Sequence, residues 1–80
     1  MTAGDVRLKR LRWLCRRGMK ELDVLLEAFI AREGEALSDG AWPQFEDFLA
    51  TEDDVLWDWV LGTSVPDSET HRQMLDALRQ

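Results

Sequence analysis

The sequence predicts an all-α protein, a compact bundle of five short helices, and three observations carry that prediction. Apolar residues recur at spacings of three and four along almost the whole chain. No stretch alternates with period two, and no low-complexity tract or internal repeat is present. Glycines and prolines punctuate the pattern at intervals that suit short helices joined by connections of a few residues. Eighty residues with 45% hydrophobic and 32% charged side chains suit one soluble domain over 1–80, with flexible ends at about 1–4 and 79–80.

In the first helix Leu8, Leu11 and Cys15 form the stripe, with Trp13 and Leu14 beside it and Asp5 as the expected N-cap. Gly18 is expected to end it by adopting positive φ, with Arg16 and Arg17 in the last turn, where the helix dipole favours cations. The second helix carries Leu22, Leu25, Leu26, Phe29 and Ile30 and runs to about Glu33, with Gly34 as its stop. The third is capped by Ser38 or Asp39 and buries Trp42, Phe45, Phe48 and Leu49. Its Pro43 must lie in the first turn or at a break, since deeper inside it would remove a helical hydrogen bond.

The fourth helix has Thr51 as expected N-cap, the acids Glu52, Asp53 and Asp54 in its first turn, and Gly62 as terminator. Trp57 and Trp59 project about 200° apart on such a helix. Trp59 fits the stripe of Val55, Leu56 and Val60, which leaves Trp57 to a groove or a partner contact, with plain packing preferred. Pro66 opens the fifth helix, where His71, Met74, Leu75 and Leu78 share a face.

Composition excludes several chemistries. Cys15 is the only cysteine, so neither an internal disulfide nor a multi-cysteine zinc site can form, and a reducing compartment is expected. It reads as a small buried hydrophobe, and His71, the only histidine, as a core or boundary residue rather than a catalytic base. The acids at 52–54 lack the spacing and turn glycine of a calcium loop, and the glycines stand alone, so no phosphate loop is present. No apolar run is long enough to span a bilayer.

The net charge of −6 conceals a split. Residues 1–20 hold seven of the ten Lys and Arg against one acid, a charge of +6, leaving three cations against fifteen acids, −12, for the rest. The basic segment either packs on the acidic body or meets an acidic partner. A nucleic-acid contact through the first helix and Trp13 is opposed by the acidic remainder.

One stretch resists a purely structural account. In "RRGMKELD", Arg17 and Glu21 are four apart and Gly18 removes the side chain between them, so backbone and two opposite charges share one surface. The same residues also read as a glycine helix stop, a dipole arginine and a solvated glutamate. Composition leaves both open.

The stretch resembles the RGxxE signature of the succinate dehydrogenase assembly factor family. "RLRWLCRRGMKELD", "LLEAFI" and "FEDFLATEDDVLWDWVLG" extend the resemblance over about residues 7–79. The family implies a five-helix bundle that binds the flavoprotein subunit of succinate dehydrogenase, and in some members fumarate reductase, and promotes covalent attachment of FAD to a client histidine. It would act as a chaperone-like factor and not as an enzyme, with no cofactor bound tightly, no metal, no nucleic acid and no membrane insertion. It would work in the bacterial cytoplasm in preference to the mitochondrial matrix.

Carried over, the signature falls on Arg17, Gly18 and Glu21, flanked by Arg16, Met19 and Asp23 as further expected partner contacts. Gly18 would allow close backbone approach and Arg17 would pair with a client carboxylate. Glu21 would meet a client cation or hold Arg17 in place. The irregular run Gly40, Trp42, Pro43 departs from the family pattern. A helical regulator or nucleic-acid binder acting through the basic first helix is the alternative.

Overall fold

The computed structural model describes residues 3–79 and places five helices among them: α1 Ala3–Leu14, α2 Lys20–Ser38, α3 Phe45–Leu49, α4 Asp53–Leu61 and α5 Glu69–Leu78. No strand occurs among the described residues. α1 lies along α2 and touches α3, and α5 packs on α2 and α3. The core between them is built from Leu11, Leu22, Leu26, Phe29, Leu37, Phe45, Phe48, Leu49, Leu56, Met74 and Leu78, with Cys15 among them as the expected buried hydrophobe. Phe29 sits at its centre, edge-on to Phe45 at 5.1 Å and to Trp42 at 5.8 Å between ring centroids.

Several boundaries differ from the expected ones for identifiable reasons. α1 already includes Ala3, so Asp5 lies inside its first turn instead of capping it. Of the ends expected to be flexible, residues 1, 2 and 80 lie outside the described residues, whereas Gly4 is helical and Arg79 caps α5. α1 also stops at Leu14, so Arg16 and Arg17 lie in a connection and not in its last turn.

Gly34 does not end α2, which continues one further turn to Ser38. The extra turn is anchored by Leu37, fully buried and seven residues beyond Ile30 on the same stripe. The true stop is Gly40, at φ +99°. Its N–H donates to the Leu37 carbonyl and that of Ala41 to the Ala36 carbonyl, the paired bonds of a Schellman motif. Ser38 and Asp39, expected to cap the third helix, therefore close the second. Pro43 lies in a turn ahead of α3, which spans only Phe45–Leu49.

Arg7 holds this connection together. Its guanidinium donates to the carbonyls of Leu37, Ala41 and Trp42 and pairs with Glu46 at 3.1 Å, so one side chain satisfies the end of α2 and ties it to α3. The bond from Arg7 holds the Glu46 carboxyl below the usual carboxylate range.

Glu52, not Thr51, is the N-cap of α4, and Gly62 ends that helix at φ +84° as expected. Leu56 is buried, while Trp57, Trp59 and Val60 pack on the core from its edge, which gives Trp57 the plain packing role. Pro66 is buried just ahead of α5, whose cap is Ser68 accepting from the His71 N–H. His71 is a boundary residue: Nε2 lies 2.8 Å from an Asp47 carboxylate oxygen and its ring contacts Phe48 and Trp59.

Candidate functional site

The α1 to α2 connection, residues 15–19, is a tight loop whose shape is fixed from three sides. Cys15 plugs it into the core, and burial pushes its thiol up to about 12, far from the range of a nucleophilic thiolate. Gly18 takes φ +86°, the left-handed region expected of it, although four residues past the helix end. Met19 then enters α2 as an extended N-cap with no side-chain capping bond.

An acid of the first turn of α2 braces the loop from inside the helix. Asp23 turns back so that one carboxylate oxygen accepts the Arg17 N–H at 2.8 Å and the other the Gly18 N–H at 3.3 Å. A carboxylate at a helix N-terminus is favoured by the dipole as well. Asp23 thus organises the loop.

Arg17 is the third support, and its side chain is engaged within the fold. Its side chain turns inward, only 13% exposed. Nη1 donates to the carbonyls of Leu14 and Leu49, Nη2 to that of Thr51, and Nε to Asp53 at 2.6 Å. The end of α1, the end of α3 and the start of α4 are joined through this one guanidinium. Four of its five N–H donors are committed, so a bidentate pair with an outside carboxylate is not available. Nor does Glu21 hold Arg17, because the ion pair goes to Asp53.

The remaining signature residues face outward. Gly18 is exposed, and a Cβ built on it meets nothing within 4 Å. Glu21 and Arg16 are exposed and their side chains make no hydrogen bond or ion pair with any described residue, while Met19 is half-buried against the core. A groove of about 340 Å³ beside the loop is lined by Trp13, Leu14, Arg16, Arg17 and Asp53.

Two members of this site were missed in the sequence. Asp53 reads locally as a helix-dipole acid, and no local signal links it to an arginine 36 residues away. Trp13, expected beside the buried stripe, is 72% exposed. The helical offset that separates Trp57 from Trp59 also separates Trp13 from Leu11 and Cys15, so that signal was available. Among the described residues no group of His, Cys, Asp and Glu is arranged to hold a metal ion.

Comparison with known proteins places the chain as a whole. A family model described as the flavinator of succinate dehydrogenase matches residues 9–80. The FAD assembly factor SdhE of Coxiella burnetii is 38% identical over 72 residues, covering 90% of this chain and 88% of that protein. The protein of the same name from Legionella pneumophila (strain Paris) is 43% identical over 60 residues, 75% and 76% of the two chains, and that from Shewanella oneidensis 42% over 69 residues, 85% and 84%. No solved structure gives a significant match. With the family pattern spanning nearly the whole chain and relatives of this identity aligned over most of their own length, the protein belongs to the succinate dehydrogenase flavinator family.

Proposed function

We propose that this protein is an FAD assembly factor that binds the flavoprotein subunit of succinate dehydrogenase and promotes covalent attachment of FAD to it, with fumarate reductase as a related client. The observation that carries the reading is Gly18: an exposed residue at φ +86° with open space where a side chain would stand, on a loop held rigid by Arg17 and Asp23. A rigid, bare segment of backbone permits close approach of another protein's surface. Arg16, Gly18 and Glu21 form the contact, Met19 supports it from below, and Arg17 and Asp23 keep its shape.

The factor acts by binding and not as an enzyme. Its one thiol is buried with a pKa of about 12, and its one imidazole is engaged by Asp47. The Arg17 and Gly18 N–H groups are occupied by Asp23, so this loop does not cradle the flavin's phosphates. The histidine and the flavin belong to the client, and the factor favours the client conformer in which they are aligned. No helix among the described residues is long and apolar enough to cross a membrane, and the bacterial cytoplasm is the proposed compartment.

The test is co-expression with a succinate dehydrogenase flavoprotein subunit, reading covalent flavin as fluorescence of the denatured subunit on a gel. Gly18→Ala keeps the contact small while imposing about 1–2 kcal/mol of left-handed backbone strain. Gly18→Arg imposes the same strain and adds bulk. Flavinylation supported by wild type and Gly18→Ala but not by Gly18→Arg, with both variants folded, is expected. Equal fluorescence from Gly18→Arg and wild type would remove Gly18 from the contact.

A further inference from the structure

Of the ten lysines and arginines, five are engaged within the fold. Arg7 pairs with Glu46, Arg17 with Asp53 and Arg72 with Glu69, while Arg32 donates to the Ala77 carbonyl and Arg79 to that of Trp59. The side chains of the other five, Lys9, Arg10, Arg12, Arg16 and Lys20, are exposed and make no hydrogen bond or close ion pair to any described residue, although Arg10 stands near enough to Glu46 to help hold its carboxyl ionised. They are not scattered. All lie on α1 or in the loop that follows and its first helical residue.

The arrangement on α1 is equally selective. Val6, Lys9, Arg10 and Trp13 fall within about 100° of one another around the helix, directly across from Leu8 and Leu11. Val6 is 50% and Trp13 72% exposed. An outward tryptophan flanked by cations combines an apolar anchor with electrostatic guidance, the pairing that gives interfaces their tight centres and fast encounters. Arg16 joins this face to the motif loop, since it lines the groove with Trp13 and stands two residues from Gly18.

We infer that the outward face of α1, with Trp13 as anchor, Lys9 and Arg10 flanking it and Arg12 and Arg16 along its edge, is a second contact surface that seats on an acidic patch of the flavoprotein client. The inference rests on the reading of the motif loop given above and extends that contact along α1. Positive charge left without a close ion pair sets the sign of the partner surface. A folded protein can confine its acids to the width of one helix. A long polyanion such as duplex DNA would run from α1 onto a remainder of the chain that carries three cations against fifteen acids.

Binding kinetics of the full chain on the purified flavoprotein subunit, at low and high salt, test this. The triple variant Lys9→Glu, Arg10→Glu, Arg12→Glu should associate about tenfold or more slowly at low salt and lose its salt dependence. Trp13→Ala should dissociate about thirtyfold faster. Both should melt close to wild type, because none of these side chains is buried. Gly18→Arg serves as the separate control on the motif and should lose binding at every salt concentration.

Wild-type kinetics from the triple variant and Trp13→Ala, alongside loss in Gly18→Arg, would overturn the α1 surface and leave the motif contact standing. Wild-type binding by Gly18→Arg would overturn the motif contact instead. A parallel titration with a short DNA duplex closes the remaining route. Tight, salt-dependent DNA binding that the triple variant abolishes, with client kinetics unchanged, would reassign the face to nucleic acid and refute the proposal.

Discussion

Replacing Arg17 by alanine should unsettle the fold before it affects any partner. The side chain makes one charge-assisted bond to Asp53 and three to the carbonyls of Leu14, Leu49 and Thr51. A hydrogen bond involving a charged group contributes about 1.5–3 kcal/mol when partners are shielded. Asp53 is 41% exposed and water can replace part of what the carbonyls lose, so the lower end applies and the four bonds do not add. A loss of about 2–3 kcal/mol is expected, which for a domain of this size lowers the melting temperature by roughly 10–20 °C.

The assay is thermal unfolding followed by circular dichroism, beside client binding measured well below the transition. Arg17→Lys should recover only part of the loss, because an ammonium cannot reach four acceptors in the directions a guanidinium does. Asp53→Asn should cost about 1 kcal/mol, and the double variant should show coupling of similar size. Normal melting of Arg17→Ala together with lost client binding would refute this reasoning and make the side chain a direct contact.

Gly34 lies inside α2 with open space around it, so Gly34→Ala should raise stability by about 0.5–1 kcal/mol, seen as a higher denaturant midpoint with an unchanged slope. Glu46 is held below its ordinary pKa of 4.5 in the folded protein. Its contribution is therefore complete above that value and fades as pH falls through the lower folded one. Glu46→Gln should flatten stability across that acid window and lower it at neutral pH. Cys15 should react with an aromatic disulfide reagent far more slowly at pH 8 in the native protein than in denaturant, because burial holds the thiol protonated.

The helices themselves were legible because each buried face repeats at helical spacing, and Phe29, Phe48 and Met74 all stand where the periodicity put them. Their ends were less so. Gly34 and Gly40 are equally good stop signals locally, and only the burial of Leu37 between them decides for the later one. Gly18 was correctly expected at positive φ, yet the roles of its neighbours depend on distant groups. Whether an arginine meets solvent or the carbonyls of Leu49 and Thr51 depends on contacts more than thirty residues away, which no local pattern encodes.

The guanidinium of Arg17 gives the motif loop a property that a short recognition peptide would lack. Three of its four acceptors, on Leu49, Thr51 and Asp53, come from the second half of the chain. The loop is braced locally by Asp23 and, through Arg17, by the second half of the chain, so a chain without that half would carry the signature but lack this brace. Under the function proposed above, a contact surface braced in this way belongs to the complete fold, and folding becomes a condition of binding.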